Sequence, residues 1–289
     1  MLFISSAAFA SQLLAKNVIL LLVVRGAVGF ALGIATAATI AYAFESGMDM
    51  GKFSSYGSLG WIFSALAAAQ VKETDLLFEL SFLVCLLAFF FSLGFREIPA
   101  LDSPPPPNLW KVARRNYLVY LAVFLRHLGT TAVWIILPIY LAHLGMDKFM
   151  IGLLLGINFT VQFIVMRYLE RFSEYKMFAF GQLLSVIVFL SFAFVSGWLY
   201  LIAIQVLLGI AWSCLYVGAL LIVLKNGEAR GTAGGIFQST LNLCNAVGPL
   251  IGGLIAQGWD YRGVMFFAAA LGVTGMLVAV PRAREAPGH

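Results

Sequence analysis

The chain has 289 residues, 62% of them hydrophobic and 11% charged, with a mean hydropathy of +0.96. A soluble core of this length cannot hide so much apolar surface, so the composition excludes a soluble globular enzyme and defines an integral membrane protein. The net charge of +5 is scattered over short loops with no basic groove or stripe, which excludes a nucleic-acid partner.

Crossing a hydrocarbon core of about 30 Å takes roughly 20 apolar residues in a helix. Ten such stretches are predicted, at 2–15, 18–44, 53–71, 76–95, 117–144, 150–166, 177–195, 199–224, 232–257 and 264–280. Alternating strand patterns are absent, so helices satisfy the backbone in lipid. The fold class is therefore all-α, a polytopic membrane bundle of about ten transmembrane helices. Residues 96–116 interrupt the series with the run Pro104 to Pro107, whose missing amide donors predict a semi-rigid polyproline tether. The chain divides into a four-span unit at 1–95, the linker at 96–116, a six-span unit at 117–282 and a polar tail at 283–289.

Lys and Arg placement sets the sidedness. With Met1 inside, the inside loops collect Lys52, Arg96, Lys111, Arg114, Arg115, Arg167, Arg171, Lys176, Lys225, Arg230, Arg282 and Arg284, against Lys16, Lys72, Lys148 and Arg262 outside. The positive-inside rule then puts both termini in the cytoplasm and the protein in the cell (plasma) membrane. Cys85, Cys214 and Cys244 all fall within spans without metal-ligand spacing, so they read as packing residues.

Glycines repeat in one gapless register 180 residues apart: Gly29 with Gly209, Gly47 with Gly227, Gly51 with Gly231. Six predicted spans separate the copies, and an even number of crossings restores orientation. Two parallel pseudo-repeats follow, the first of them incomplete.

On these residues the chain resembles the major facilitator superfamily (MFS), transporters in which two six-helix halves rock about a central cavity. Arg25, Gly29, Ala31 and Gly33 are similar to the family's fourth-helix motif, with Val28 where the family usually has Gln. Gly248-Pro249-Leu-Ile-Gly252-Gly253 is similar to a pattern the family shows mostly in helix five of its antiporters, here displaced to helix eleven. Met166 to Lys176, with Glu170 and Arg171, resembles a degenerate form of its acidic-basic gating loop. The resemblance implies alternating access, a coupling or gating role for Arg25, Glu170 and Arg171, and a chain corresponding to family helices three to twelve. The expectation is an N-terminally truncated member, from either a misplaced start codon or a remnant gene.

Arg126 and His127 lie about ten residues inside the fifth span, where a charge costs at least about 2.5 to 3.5 kcal/mol, so Arg126 is a candidate for anion or substrate contact. Its alternative is snorkelling to the headgroups. His127 suits proton exchange or is a satisfied structural histidine. Gln238, Asn242 and Asn245 share one helical stripe, and Asn158 with Gln162 repeats the spacing. Gln205 stands at the repeat position of Arg25. Such amides serve as interhelix glue or as substrate contacts. Trp61, Trp134 and Tyr216 are candidates to floor a cavity. Gly29/Gly33, Gly231/Gly235 and Gly248/Gly252 predict close helix packing, and Pro138 and Pro249 predict bends.

The segment Gly47 to Phe53 superficially resembles a phosphate loop but is one residue short, and Phe53 stands where Ser or Thr would hold magnesium. No ATP site, metal or cofactor is expected, and no catalytic motif of an enzyme is present. The expected function is secondary active transport of small molecules, with efflux and proton coupling as the finer reading. The rival is a non-transporting membrane remnant or assembly partner.

Overall fold

Ten apolar helices form where apolar length and capping residues allow them. The computed structural model describes residues 2–71, 73–94, 108–195, 197–226 and 229–284. In chain order the helices are α1 (Leu2–Ser11), α2 (Val18–Glu45), α3 (Met50–Gln70), α4 (Thr74–Ser92), α5 (Leu109–Arg115), α6 (Tyr117–His143), α7 (Lys148–Met166), α8 (Glu174–Phe194) and α9 (Trp198–Lys225). The last helical run, Arg230–Arg284, leaves helical geometry at Trp259 and Asp260, where Asp260 has φ +69°, and so divides into α10 (230–258) and α11 (261–284). Apart from α5, these helices overlie the ten predicted spans. No strand occurs among the described residues.

Local chemistry sets the ends. Asn17 caps α2 by accepting from the Leu20 N–H at 2.8 Å, and Asp147 caps α7 through Met150 at 2.8 Å. Helix α2 stops at Gly47, whose φ of +73° is the left-handed conformation that lets the Met48 N–H return to the Ala43 carbonyl. The predicted tether differs at its end, where 109–115 form α5. Pro104 to Pro107 lie outside the described residues, as does Gly227. The backbone stays helical through Pro138 in α6 and Pro249 in α10, and it leaves helical geometry at Trp259 and Asp260.

The duplication is visible in the helix boundaries. An offset of 180 residues carries Val18–Glu45 onto Trp198–Lys225 and Met50 onto Arg230, the first residue of the last helical run. Pairing repeats as well, since α1 packs on α2 and α4 while α8 packs on α9 and the last helical run. Burial is unequal between the copies: 72% of the most apolar window of α6 and of α9 is enclosed by protein, and none of α4. The protein core therefore sits in the second half, and lipid supplies the apolar surroundings of the first.

That core rests on close helix crossings. A Cβ at Gly181 of α8 would sit 2.5 Å from the Leu215 amide of α9, and one at Gly218 of α9 would sit 2.7 Å from the Phe178 amide of α8. The reciprocal glycines let the two backbones touch, which is how helices associate when lipid offers no hydrophobic drive. Gly181→Val or Gly218→Val should therefore lower the melting temperature of the purified protein, at a cost of about 1 to 3 kcal/mol for forced overpacking. Gly29→Ala, with nothing within 4 Å of the new carbon, should leave it unchanged.

Candidate functional site

The two halves meet at the end of the molecule where α2 finishes and α3 and α10 begin. Asp49 caps α3 by accepting from the Lys52 N–H at 2.7 Å, and Glu170 reaches from the loop after α7 to accept from the Met50 N–H at 3.2 Å. Two carboxylates from opposite halves thus share one helix N-terminus, where the exposed amides and the helix dipole favour negative charge. Gly51 completes the contact, because a Cβ there would fall on the Met166 carbonyl. Arg167 adds a hydrogen bond from Nε to Ser55 Oγ at 3.3 Å and lies over the Tyr56 and Phe163 rings. Arg230 covers Phe44. Arg171 stays local, donating to the Tyr168 carbonyl.

From this closed end the two halves stay in contact along α2 as far as Gly33. A Cβ at Gly231 would lie 3.6 Å from that of Ala41, one at Gly235 would lie 3.8 Å from that of Ala37, and one at Gly33 would lie 3.5 Å from Asn242 Nδ2. At Gly29 and Gly26 nothing is within 4 Å, and Arg25 is exposed. One face of α3 is buried at Met50, Ser54, Ser55 and Ser58, and beyond it Trp61 is 62% exposed. The halves therefore diverge away from the gate and leave a cleft.

Sequence-predicted polar residues gather in two groups, one exposed on α10 and one buried between α3, α7 and α9. On α10, Gln238 donates to Asn242 Oδ1 at 3.2 Å, and Asn245 meets the His127 ring of α6. Asn242 and Asn245 are exposed. Between α3, α7 and α9, the Ser58 hydroxyl donates to Gln162 Oε1, Gln162 to Asn158 Oδ1 at 2.6 Å, and Asn158 to the Gln205 carbonyl at 2.9 Å. Gln205 is wholly buried, and neither of its amide atoms has a protein partner. An aromatic ladder crosses the same region, Trp61 on Phe159 at 5.8 Å and Phe159 on Trp134 at 6.1 Å.

Arg126 points elsewhere. It is 0% exposed inside the second half, with Nε donating to Ser185 Oγ of α8 at 2.9 Å and the guanidinium over the Phe189 and Trp212 rings at 5.6 and 5.2 Å. Nη1 and Nη2 have no protein partner, nor has Nδ1 of His127, which stacks on the same Trp212 at 5.0 Å. Cation–π contacts of this kind supply up to about 2 kcal/mol each, less than the several kcal/mol that enclosing an uncompensated cation costs. Helix α6 itself is clamped by the predicted small residues: a Cβ at Gly248 would fall on Thr131, and one at Gly252 on the Ala132 backbone, on either side of Pro249.

Sequence reasoning missed Ser58, Arg167, Ser185, Phe159 and Trp212. Arg167 carried only a topology signal, and a serine or aromatic residue in an apolar run carries none until its neighbour is known.

Two helical bundles closed at one end around a cleft lined with amides and aromatic rings define a polytopic membrane carrier fold. Residues 119–289 match the Major Facilitator Superfamily, which is more than half of the chain. The chain belongs to that family. Among curated proteins it is 28% identical over 186 residues to multidrug resistance protein MdtG of Proteus mirabilis, covering 59% of this chain and 44% of that protein. It is 25% identical over 175 residues to an uncharacterised MFS-type transporter of Methanocaldococcus jannaschii, covering 58% and 45%. The matched region thus spans less than half the length of these relatives. In structure it is similar to the MFS transporter FucP crystallised in its outward conformation, with a TM-score of 0.72 over 97% of this chain and 80% of that chain at 18% identity. A structure of a variant of the E. coli fucose:proton symporter FucP gives 0.69 over 97% and 81%, also at 18% identity. The protein is a multi-pass membrane protein of a transporter family.

The carboxyl that bridges the two halves at this end is perturbed by its surroundings. Burial first, and then the hydrogen bond with Asp49, hold the Glu170 carboxyl above its ordinary range, partly opposed by the Met50 N–H. The closed gate therefore binds this proton more tightly than an opened, hydrated Glu170 does. The added closure is fully present below the ordinary carboxylate value and fades as pH rises through the raised one. Spin labels placed on the 46–49 and 172–173 loops should report more closed molecules on mild acidification. Glu170→Gln, which keeps both hydrogen bonds without the charge, should stay closed and lose the pH dependence.

Proposed function

We propose that this protein is a secondary active transporter that moves small molecules by exposing the cleft alternately to the two sides of the cell membrane. The observation that carries the reading is the contact between halves, very close at Gly51, ordinary at Ala41, Ala37 and Gly33, and absent at Gly29 and Gly26. Such a joint holds one entrance shut while leaving the other open. Its buried glycine and alanine surfaces are small enough to separate without leaving a large unfilled void. The gate end carries Arg167, Lys225 and Arg230 on described elements, which supports a cytoplasmic assignment for that end and for both termini by the positive-inside rule. The open entrance then faces outward.

Gln238, Asn242, Asn245 and His127 are the groups we assign to substrate, being polar side chains that meet the cleft beside exposed aromatic rings. Asn158, Gln162 and Gln205 form the polar joint behind it, holding α7 to α9 and, through Ser58, to α3. Glu170 gates, with Arg171 and Arg25 flanking the two ends. Proton-coupled export is the finer reading, supported by the perturbed Glu170 carboxyl where the halves meet and by the likeness to a protein named for multidrug resistance.

Alternating access has a direct test. The 3.6 Å separation of Cβ positions at Ala41 and Gly231, and the 3.8 Å separation at Ala37 and Gly235, fall within the 3.5–4.5 Å of a disulfide. In a background lacking Cys85, Cys214 and Cys244, the pair Ala41→Cys/Gly231→Cys should crosslink on oxidation. In proteoliposomes challenged with ethidium and with small organic acids, that crosslink should abolish flux, and reduction should restore it. Flux that persists through a quantitative crosslink would rule out rocking at this gate. No flux of any compound from well-folded protein would favour an assembly partner.

A further inference from the structure

Among the described residues Arg126 is the one charged side chain with 0% exposure, and two of its three guanidinium nitrogens have no protein partner. Nε is already spent on Ser185, and the ring faces of Phe189 and Trp212 flank the guanidinium plane. What stays unpartnered is the end-on pair, Nη1 and Nη2. That pair presents two parallel N–H groups, the geometry that matches the two oxygens of a carboxylate. No protein carboxylate meets it: the described acidic residues of the second half, Asp147, Glu170, Glu174 and Asp260, all sit at or beyond helix ends. The adjoining Gln182 offers an unpartnered Oε1 and cannot neutralise the charge.

Trp212 connects this cation to the cleft. The same indole stacks on His127, which touches Asn245 on the cleft-lining stripe of α10, and continues into Tyr216 at 5.3 Å. Trp212 itself is only partly buried. The indole thus touches both the guanidinium and the imidazole that meets Asn245.

We infer that the transported substrate is a carboxylate-bearing organic anion, whose carboxylate docks end-on to Nη1 and Nη2 of Arg126 while its body lies against Trp212, His127 and Asn245. This rests on the transport reading and names the chemistry of that site. A neutral or cationic substrate would leave the buried guanidinium uncompensated at every stage of the cycle. A carboxylate compensates it only in the loaded state, so charge neutralisation and occupancy become the same event.

The test is binding, kept separate from flux. Purified full-length protein in detergent is titrated with formate, acetate, lactate and benzoate, each against its neutral amide, and read by melting temperature and tryptophan fluorescence. At saturating acid a rise of about 3 °C is expected for at least one acid and none for its amide. Arg126→Gln should erase that rise. Without ligand it should melt at or above the wild-type temperature, since it removes an uncompensated charge. Arg126→Lys, which keeps the charge and loses the fork, should fold and bind the acid at least about tenfold more weakly, the loss of one good charged contact. The proposal fails if no acid stabilises the protein, if acid and amide act alike, if Arg126→Gln still binds, or if Arg126→Gln is strongly destabilised without ligand, which would make Arg126 a structural strut. Binding without flux would keep this site and remove the transport reading. Undiminished flux of uncharged compounds by Arg126→Gln would do the reverse.

Discussion

One helix N-terminus holds the two bundles together. The first turn of α3 presents amides that no helical carbonyl can satisfy, and in a membrane protein such groups must find partners within the protein or at the interface. Asp49 answers from the same half and Glu170 from the other. Because Gly51 lets the Met166 carbonyl come to contact distance of α3, the second carboxylate can reach. The cross-gate bond is thus a consequence of an absent side chain. It is also reversible, since an opened α3 terminus and a freed Glu170 at the membrane surface can both be hydrated.

The remainder of the second half is arranged around α6. That helix is buried on nearly every side, so its polar residues must be satisfied by neighbours, and most are. Thr131 donates to the Cys244 carbonyl at 2.8 Å, Thr130 to the Arg126 carbonyl at 2.9 Å, and Gln182 to the Ala122 carbonyl at 3.2 Å. Against this background the exceptions stand out. Arg126, His127, Gln205 and the oxygen of Gln182 keep unpartnered atoms in the same bundle. Groups that cost energy when left unsatisfied mark places where the resting structure is not optimised for its own stability.

The first half contributes differently. Its helices α2 and α3 use small residues against α10 and α7, while Val18, Leu22, Phe30 and Phe63 remain exposed within the chain. In lipid such surfaces cost nothing, so the first half needs no core of its own to remain helical. The asymmetry in burial follows from that difference in surroundings.

Much of this was legible before any coordinates. Apolar length decides membrane crossing because about 20 helical residues span the hydrocarbon, and ten predicted stretches became ten helices. The 180-residue glycine register foretold the coincidence of α2 with α9, because a duplicated chain keeps its helix lengths. The polar stripe of Gln238, Asn242 and Asn245 was also readable, being a property of one helix alone. The partners were not readable. Arg126 and His127 are adjacent in sequence, yet successive residues point roughly 100° apart around a helix, so one faces Ser185 within the bundle and the other faces Asn245 beside the cleft. Which direction is core and which is cleft depends on how α8, α9 and α10 surround α6, a matter of packing between distant segments. The sequence by itself therefore determined that the chain crosses a membrane in two co-oriented sets of helices, since length and period are local. Only the tertiary structure decided where the two halves meet and which buried charge stands unpaired, since the first is set by segments 120 residues apart and the second by segments 59 residues apart.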